Sequence, residues 1–128
     1  MTIRRNPKGV APPGGPYSHS VEAPAGARML YISGEIGFLP DGTLAEGIEA
    51  QAEAVWRNLE TILADADMGI GDLIKITTYL TRPEDLGSAA AARARHLGDA
   101  RPASATVIVA RLVDPAMLIE IEAVAAKA

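Results

Sequence analysis

Arg101–Ala126 reads RPASATVIVARLVDPAMLIEIEAVAA. Two β-rich runs, Ala103–Arg111 and Leu118–Ala125, flank Asp114-Pro115. A proline cannot donate to a sheet ladder, so the stretch reads as two strands joined by a turn. The second run alternates without a break: Ile119, Ile121, Ala123 and Ala125 fall on one face, Leu118, Glu120, Glu122 and Val124 on the other. One face therefore suits a core, and the other carries two carboxylates. A solvated outer face accounts for them, and so does a polar pocket or interface that uses a carboxylate.

Upstream, Thr81 and Glu84 are spaced as a capping box with Pro83 in the first turn, which predicts a helix through the Ala89–Ala92 run to Leu97, stopping at Gly98. Before it, Leu73–Thr81 reads as a strand with Ile74, Ile76, Thr78 and Leu80 on one face and Lys75, Thr77 and Tyr79 on the other. A longer helix is expected from about Ala45 to Asp67, because Ile48, Ala52, Val55, Leu59, Ile62, Leu63 and Ala66 recur at helical spacing and Gly69 offers a stop. Nearer the N-terminus, Ser18–Ala23 and Met29–Ser33 flank a turn at Pro24–Ala27 and read as a hairpin. Thr2–Arg5 reads as a short edge strand, and Pro7–Pro16, with four prolines and three glycines, as a stiffened loop. The order β-β-β-α-β-α-β-β implies an α+β fold with two helices on one face of a mixed sheet. The other face is left uncovered and half apolar, which predicts self-association through it with closed symmetry.

The 128 residues are expected to form a single domain, 1–128, large enough for a core of its own. The absence of cysteine excludes disulfides, zinc thiolates and cysteine nucleophiles. A net charge of −4 argues against affinity gained by neutralising phosphates, so no nucleic acid is expected as a partner. No apolar run approaches the ~20 residues that span a bilayer. MTIRRNPKG lacks the apolar segment of a secretory signal, so no membrane association and a cytoplasmic location are the expectation. No HxH, HExxH, Walker A or GxGxxG pattern occurs, and neither metal nor cofactor is expected.

Single residues carry two readings each. His19, among Tyr17, Ser18 and Ser20, is a loop hydrogen-bonder or a catalyst; His96, near a helix C-terminus, suits the local dipole or serves a function. Ser33-Gly34 is a turn, or a backbone that a ligand approaches closely. Ser104 and Thr106 share a strand face and can bond a ligand or merely populate a strand. Arg101 and Arg111 suit surface ion pairs or a carboxylate.

In order along nearly the whole chain, GPYSH at 15–19, LYISGEIG at 30–37, Asn58-Leu59, DLIK at 72–75, RPAS at 101–104, VARL at 109–112 and IEIEA at 119–123 resemble the RidA family, also called YjgF or UK-type and once labelled L-PSP endoribonuclease. The resemblance implies a chorismate-mutase-like fold and a homotrimer whose sheets form a central barrel, with small-molecule clefts at the subunit interfaces. It implies hydrolysis of reactive imines or enamines to the carbonyl compound and ammonia. Glu120 matches the residue that positions the attacking water, while Tyr17, Ser33 and Gly34 match residues lining the pocket. The chain departs from the pattern at one point. The family's Pro-Ala-Arg-Ser is here Pro102-Ala103-Ser104-Ala105, so Ser104 stands where the carboxylate-binding arginine is expected. One neutral hydroxyl in place of a planar cation costs on the order of 2 kcal/mol in holding an anion. Arg101, three residues earlier, faces the other way on a regular strand and reaches the cleft only if the strand start bulges. Two functions follow: a deaminase-like hydrolase, marked by turnover that depends on Glu120, or a trimer that binds a small metabolite without chemistry, marked by saturable binding and no product. The ribonuclease label fits poorly with an acidic, aromatic-poor chain.

Overall fold

The structure is a computed structural model that describes residues 2–128. In chain order it contains β1 (Ile3–Arg5), β2 (Ser20–Glu22), β3 (Arg28–Ile36), α1 (Ile48–Asp65), β4 (Leu73–Leu80), α2 (Leu86–Leu97), β5 (Ala103–Ile108) and β6 (Ile119–Lys127), with 3-10 turns at Ile70–Asp72 and Pro83–Asp85. The expected order and the α+β class are both present.

β6 is the centre of the main sheet, whose order is β3-β6-β4-β5. It runs antiparallel to β3 and β4, and β5 runs parallel to β4. Ile119, Ile121, Ala123 and Ala125 are all buried, as the alternation requires, and join Val55, Trp56, Leu59 and Leu63 of α1 and Ala89, Ala92 and Leu97 of α2 in one core. Both helices thus cover one face of a mixed sheet.

Five local expectations are corrected. Ser18–Ala23 and Met29–Ser33 do not pair as a hairpin: β2 pairs with β1 in a separate two-stranded sheet, and β3 pairs with β6. The short β2 has no buried residue to offer a core, whereas β3 joins the apolar ladder of β6. The two strands of Arg101–Ala126 are likewise not neighbours, because β4 lies between them. At the start of β4 a register irregularity between Leu73 and Lys75 turns Leu73 into the core and leaves Ile74 half-buried. The first helix begins three residues later than expected, after Gly47 with φ 84. Its end is formed by Asp67 (φ 57), not Gly69: the N–H groups of Asp67 and Met68 return to the carbonyls of Ala64 and Leu63. Finally, Thr81 and Glu84 form no capping box. The chain enters α2 through the Pro83–Asp85 turn, where buried Asp85 accepts two hydrogen bonds from Arg82, at 2.8 and 2.9 Å.

Candidate functional site

The helix-free face of the sheet carries Glu120, Glu122 and Val124 of β6 beside Thr77 and Tyr79 of β4. Tyr79 pairs with Glu120, and its hydroxyl donates to Glu122 at 3.0 Å, which holds the phenol proton more tightly than usual. A shallow depression of about 180 Å³ lies between Tyr31, Lys75, Thr77, Glu122 and Val124. Tyr31, 76% exposed, stands at its edge on β3.

Glu120 is set against a bulge. The β3–β6 register slips between Ile32 and Glu35, so Ser33 and Gly34 drop out of the ladder. A Cβ on Gly34 would overlap the Glu120 carboxylate, lying 2.8 Å from its carboxyl carbon. The missing side chain is what lets the carboxylate lie on bare backbone. Ser33-Gly34 is thus a bulge inside β3, not a turn, and the group that approaches its backbone is the chain's own Glu120. Glu35, which sequence reasoning passed over, is the second acid of this cluster. Partial burial, and then the negative charge of Glu120, push its carboxyl above the ordinary range.

Two side chains of α1 fix this arrangement. Gln51, buried, donates to the Ala116 carbonyl at 3.0 Å and accepts from the Leu118 N–H at 2.8 Å, pinning the entry to β6 two residues before Glu120. Asn58 donates to the Phe38 carbonyl at 2.9 Å and pins the exit of β3. Gly37 lets the helix approach, since a Cβ there would come within 2.7 Å of the Cα of Gln51. A glutamine on the apolar stripe of a helix, here three residues after Ile48, is the sequence signal for such a bond.

Tyr17, Arg101 and Ser104 lie elsewhere. The N-terminal loop is tied to the start of β5: Ser18 bridges to Ala103, its N–H donates to Pro102 at 3.2 Å and its hydroxyl to the Arg101 carbonyl at 2.6 Å. This holds Tyr17 beside β5. The Arg101 guanidinium bonds the carbonyls of Gly98 and Ala100 at the end of α2, at 2.8 and 2.7 Å. Ser104 pairs in register with buried Ile76 and so faces the helix side of the sheet. Across the strands Glu120 of β6 is therefore two spacings, roughly 10 Å, from Ser104 of β5, and Gly34 of β3 three; Glu120 and Ser104 also face opposite sides of the sheet. One copy of the chain keeps these two groups of residues apart.

The histidines serve the fold. His19 Nε2 bonds the Ala11 carbonyl at 2.6 Å, and the His19 backbone N–H donates to Asn6 Oδ1 at 2.8 Å. His96 stacks on Trp56 and bonds Glu53 at 2.8 Å as well as Glu60, tying α2 to α1. The hydrogen bond from His96 is the main reason the Glu53 carboxyl lies below the ordinary range. Among the described residues no cluster of metal-binding side chains occurs, and no helix is long and apolar enough to cross a membrane.

The Endoribonuclease L-PSP family model matches residues 8–127. The chain belongs to this family. It is 37% identical over 117 residues to a RutC family protein of Pyrococcus horikoshii, covering 90% of each. Among solved structures it is similar to a Rid family protein of unknown function, YyfB from Yersinia pestis, with a TM-score of 0.84, 30% identity and 97% of each chain covered. It is also similar to RidA of an Antarctic Psychrobacter, with a TM-score of 0.73, 33% identity and coverage of 88% of this chain and 89% of that one. The Rid relationship agrees with the resemblance carried by SGEIG, RPAS and IEIEA.

Proposed function

We propose that this Rid protein hydrolyses a small reactive imine or enamine to the carbonyl compound and ammonia, in a cleft where the half-sites of two neighbouring copies meet. The observation that carries this reading is the Glu120 carboxylate on the bare backbone of Gly34, with Glu35 beside it as an acid that keeps its proton to higher pH than usual. A trimer with the helix-free faces turned inward, as the family resemblance implies, supplies the second half-site from the neighbour.

An enamine first gains a proton at carbon and gives up one from nitrogen, becoming the imine. Glu120 orients a water molecule and takes its proton as the oxygen bonds to the C=N carbon. The C=N π pair moves to nitrogen, which is protonated from the acid pair. As the carbinolamine collapses, the C=O bond forms and the C–N bond breaks; the acid pair gives one proton to the leaving nitrogen and takes up the hydroxyl proton, so ammonia departs and the pair is restored. Water is consumed and no redox partner is needed. Tyr17, Ser33 and Gly34 shape the cleft.

A second reading, a trimer that binds a metabolite without turnover, is favoured by Ser104 alone, because the serine removes the expected anchor of an anionic substrate. A coupled assay separates the two. An amino-acid oxidase generates a 2-imino acid in situ, and wild type and Ser104→Arg are followed side by side. Hydrolysis by wild type supports the enzyme; saturable binding without product in both proteins supports the second reading.

A further inference from the structure

We propose that Arg93 is the anchor for a substrate carboxylate, in the cavity between α2 and the β4–β5 edge of the sheet. This deepens the imine reading and rests on it for the identity of the reacting group.

The cavity measures about 180 Å³ and is lined by Leu86, Ala89, Ala90 and Arg93 of α2 against Thr78, Thr106 and Ile121 of the sheet. The four helix positions fall at i, i+3, i+4 and i+7, one stripe of α2. The alanines leave the space, and Arg93 is the one charged side chain in the lining. Its Nε is buried and has no hydrogen-bond partner among the described residues. The neighbouring cations of the same region are matched: Arg82 by Asp85, Arg95 by Glu53, and His96 by Glu53 and Glu60. Burial alone lowers the proton affinity of Arg93, and no acid offsets it. Buried polar groups are nearly always matched, and a guanidinium keeps its charge throughout the physiological range. An unmatched buried donor in a cavity is thus a recognition element for an anion.

The lining selects the anion. A planar guanidinium accepts a carboxylate through parallel hydrogen bonds. Thr78 and Thr106 pair in register and put two hydroxyl-bearing side chains on the same wall. A single cation with neutral hydroxyls suits a monoanion better than a phosphate dianion. Leu86, Ala89 and Ile121 complete the wall with surface for a short aliphatic chain. β5, which carries Thr106, is an edge strand of the sheet. Ser104 stands on the same face of β5, two residues before Thr106. The charge that the family pattern places at 104 is therefore supplied here from the opposing helix.

The test is titration of the full chain, in its native assembly, with 2-oxobutanoate and with neutral 2-butanone, followed by calorimetry. Wild type is expected to bind the acid and to bind the ketone at least tenfold more weakly. Arg93→Met is expected to weaken acid binding about 10- to 100-fold. Thr106→Val, which keeps the shape of the wall, is expected to weaken it about threefold to tenfold and reports on the cavity if Arg93→Met folds poorly. Arg95→Met, on the outer side of the same helix, should bind as wild type does. Unchanged acid binding in folded Arg93→Met overturns the proposal, as does equal affinity for acid and ketone, or tighter binding of inorganic phosphate than of 2-oxobutanoate. Binding that follows Arg93 without any turnover leaves the proposal standing and removes the hydrolase reading. Turnover of a 2-imino acid that Arg93→Met leaves intact does the reverse.

Discussion

Gly34→Ala separates the chemistry from the fold. The backbone at Gly34 is not in the left-handed region, and the atoms that a Cβ would meet are the Oε2, carboxyl carbon and Cγ of Glu120. Those atoms are the end of a flexible side chain, so the overlap is relieved by swinging the carboxylate away, without moving a strand. The stability cost is expected to be about 1 kcal/mol, comparable with other mild overpacking. The effect on turnover is expected to be much larger. A catalytic group moved by about 1 Å loses roughly 100-fold in rate, equivalent to about 2.7 kcal/mol of transition-state stabilisation. The assay is kcat/KM for imine hydrolysis in the coupled system, measured beside thermal unfolding. Glu120→Gln and the double variant complete the cycle. Because both changes act on one carboxylate, Gly34→Ala should add almost nothing to Glu120→Gln. Wild-type turnover in Gly34→Ala, or a loss in the double variant equal to the sum of the two single losses, would show that Gly34 does not act through the Glu120 carboxylate.

Other positions test the supports of the site. Gly37→Ala places a Cβ against the backbone of α1 at Gln51, which cannot rotate aside, so unfolding in urea should show a loss of about 1–3 kcal/mol. Glu35→Gln should raise the thermal midpoint at pH 7. A carboxyl whose folded pKa lies above its unfolded one binds its proton better in the folded state, so its ionisation removes stability as pH rises. The gain should vanish below about pH 4, where the carboxyl is protonated in both states. His96→Ala removes the stack on Trp56 and the link to Glu53, and is expected to cost about 2 kcal/mol in chemical denaturation. Glu53 has the opposite linkage to Glu35: its lowered pKa contributes stability above the ordinary carboxylate range and loses it as pH falls through the folded value. The acid limb of the stability curve should accordingly be shallower in His96→Ala.

Where a residue's neighbours are set by its own strand or helix, the sequence is a sufficient guide. The β6 alternation, the α1 stripe and the stop of α2 at Gly98, with φ 54, are of this kind. Strand pairing is a different matter. A turn at Pro24–Ala27 predicts a hairpin from local chemistry, but the partner of β3 is decided by which distant strand offers an apolar ladder, and that is β6. The Ser33-Gly34 bulge shows only as a glycine until Glu120 is seen lying on it. Glu35 looks like a strand residue of no consequence until its neighbour's charge is placed. Arg93, among alanines on a helix, reads as a solvated cation; only the fold shows that its Nε is buried against a cavity.

Whether Glu120 drives imine hydrolysis is decided by ammonia release. A 2-imino acid generated in situ would be presented to purified wild type and to Glu120→Gln at equal concentration, with the spontaneous rate subtracted. Wild type should accelerate release, and Glu120→Gln should lose at least roughly 100-fold, within the usual contribution of a general base. Wild type at the spontaneous rate, or Glu120→Gln as fast as wild type, would contradict that role for Glu120.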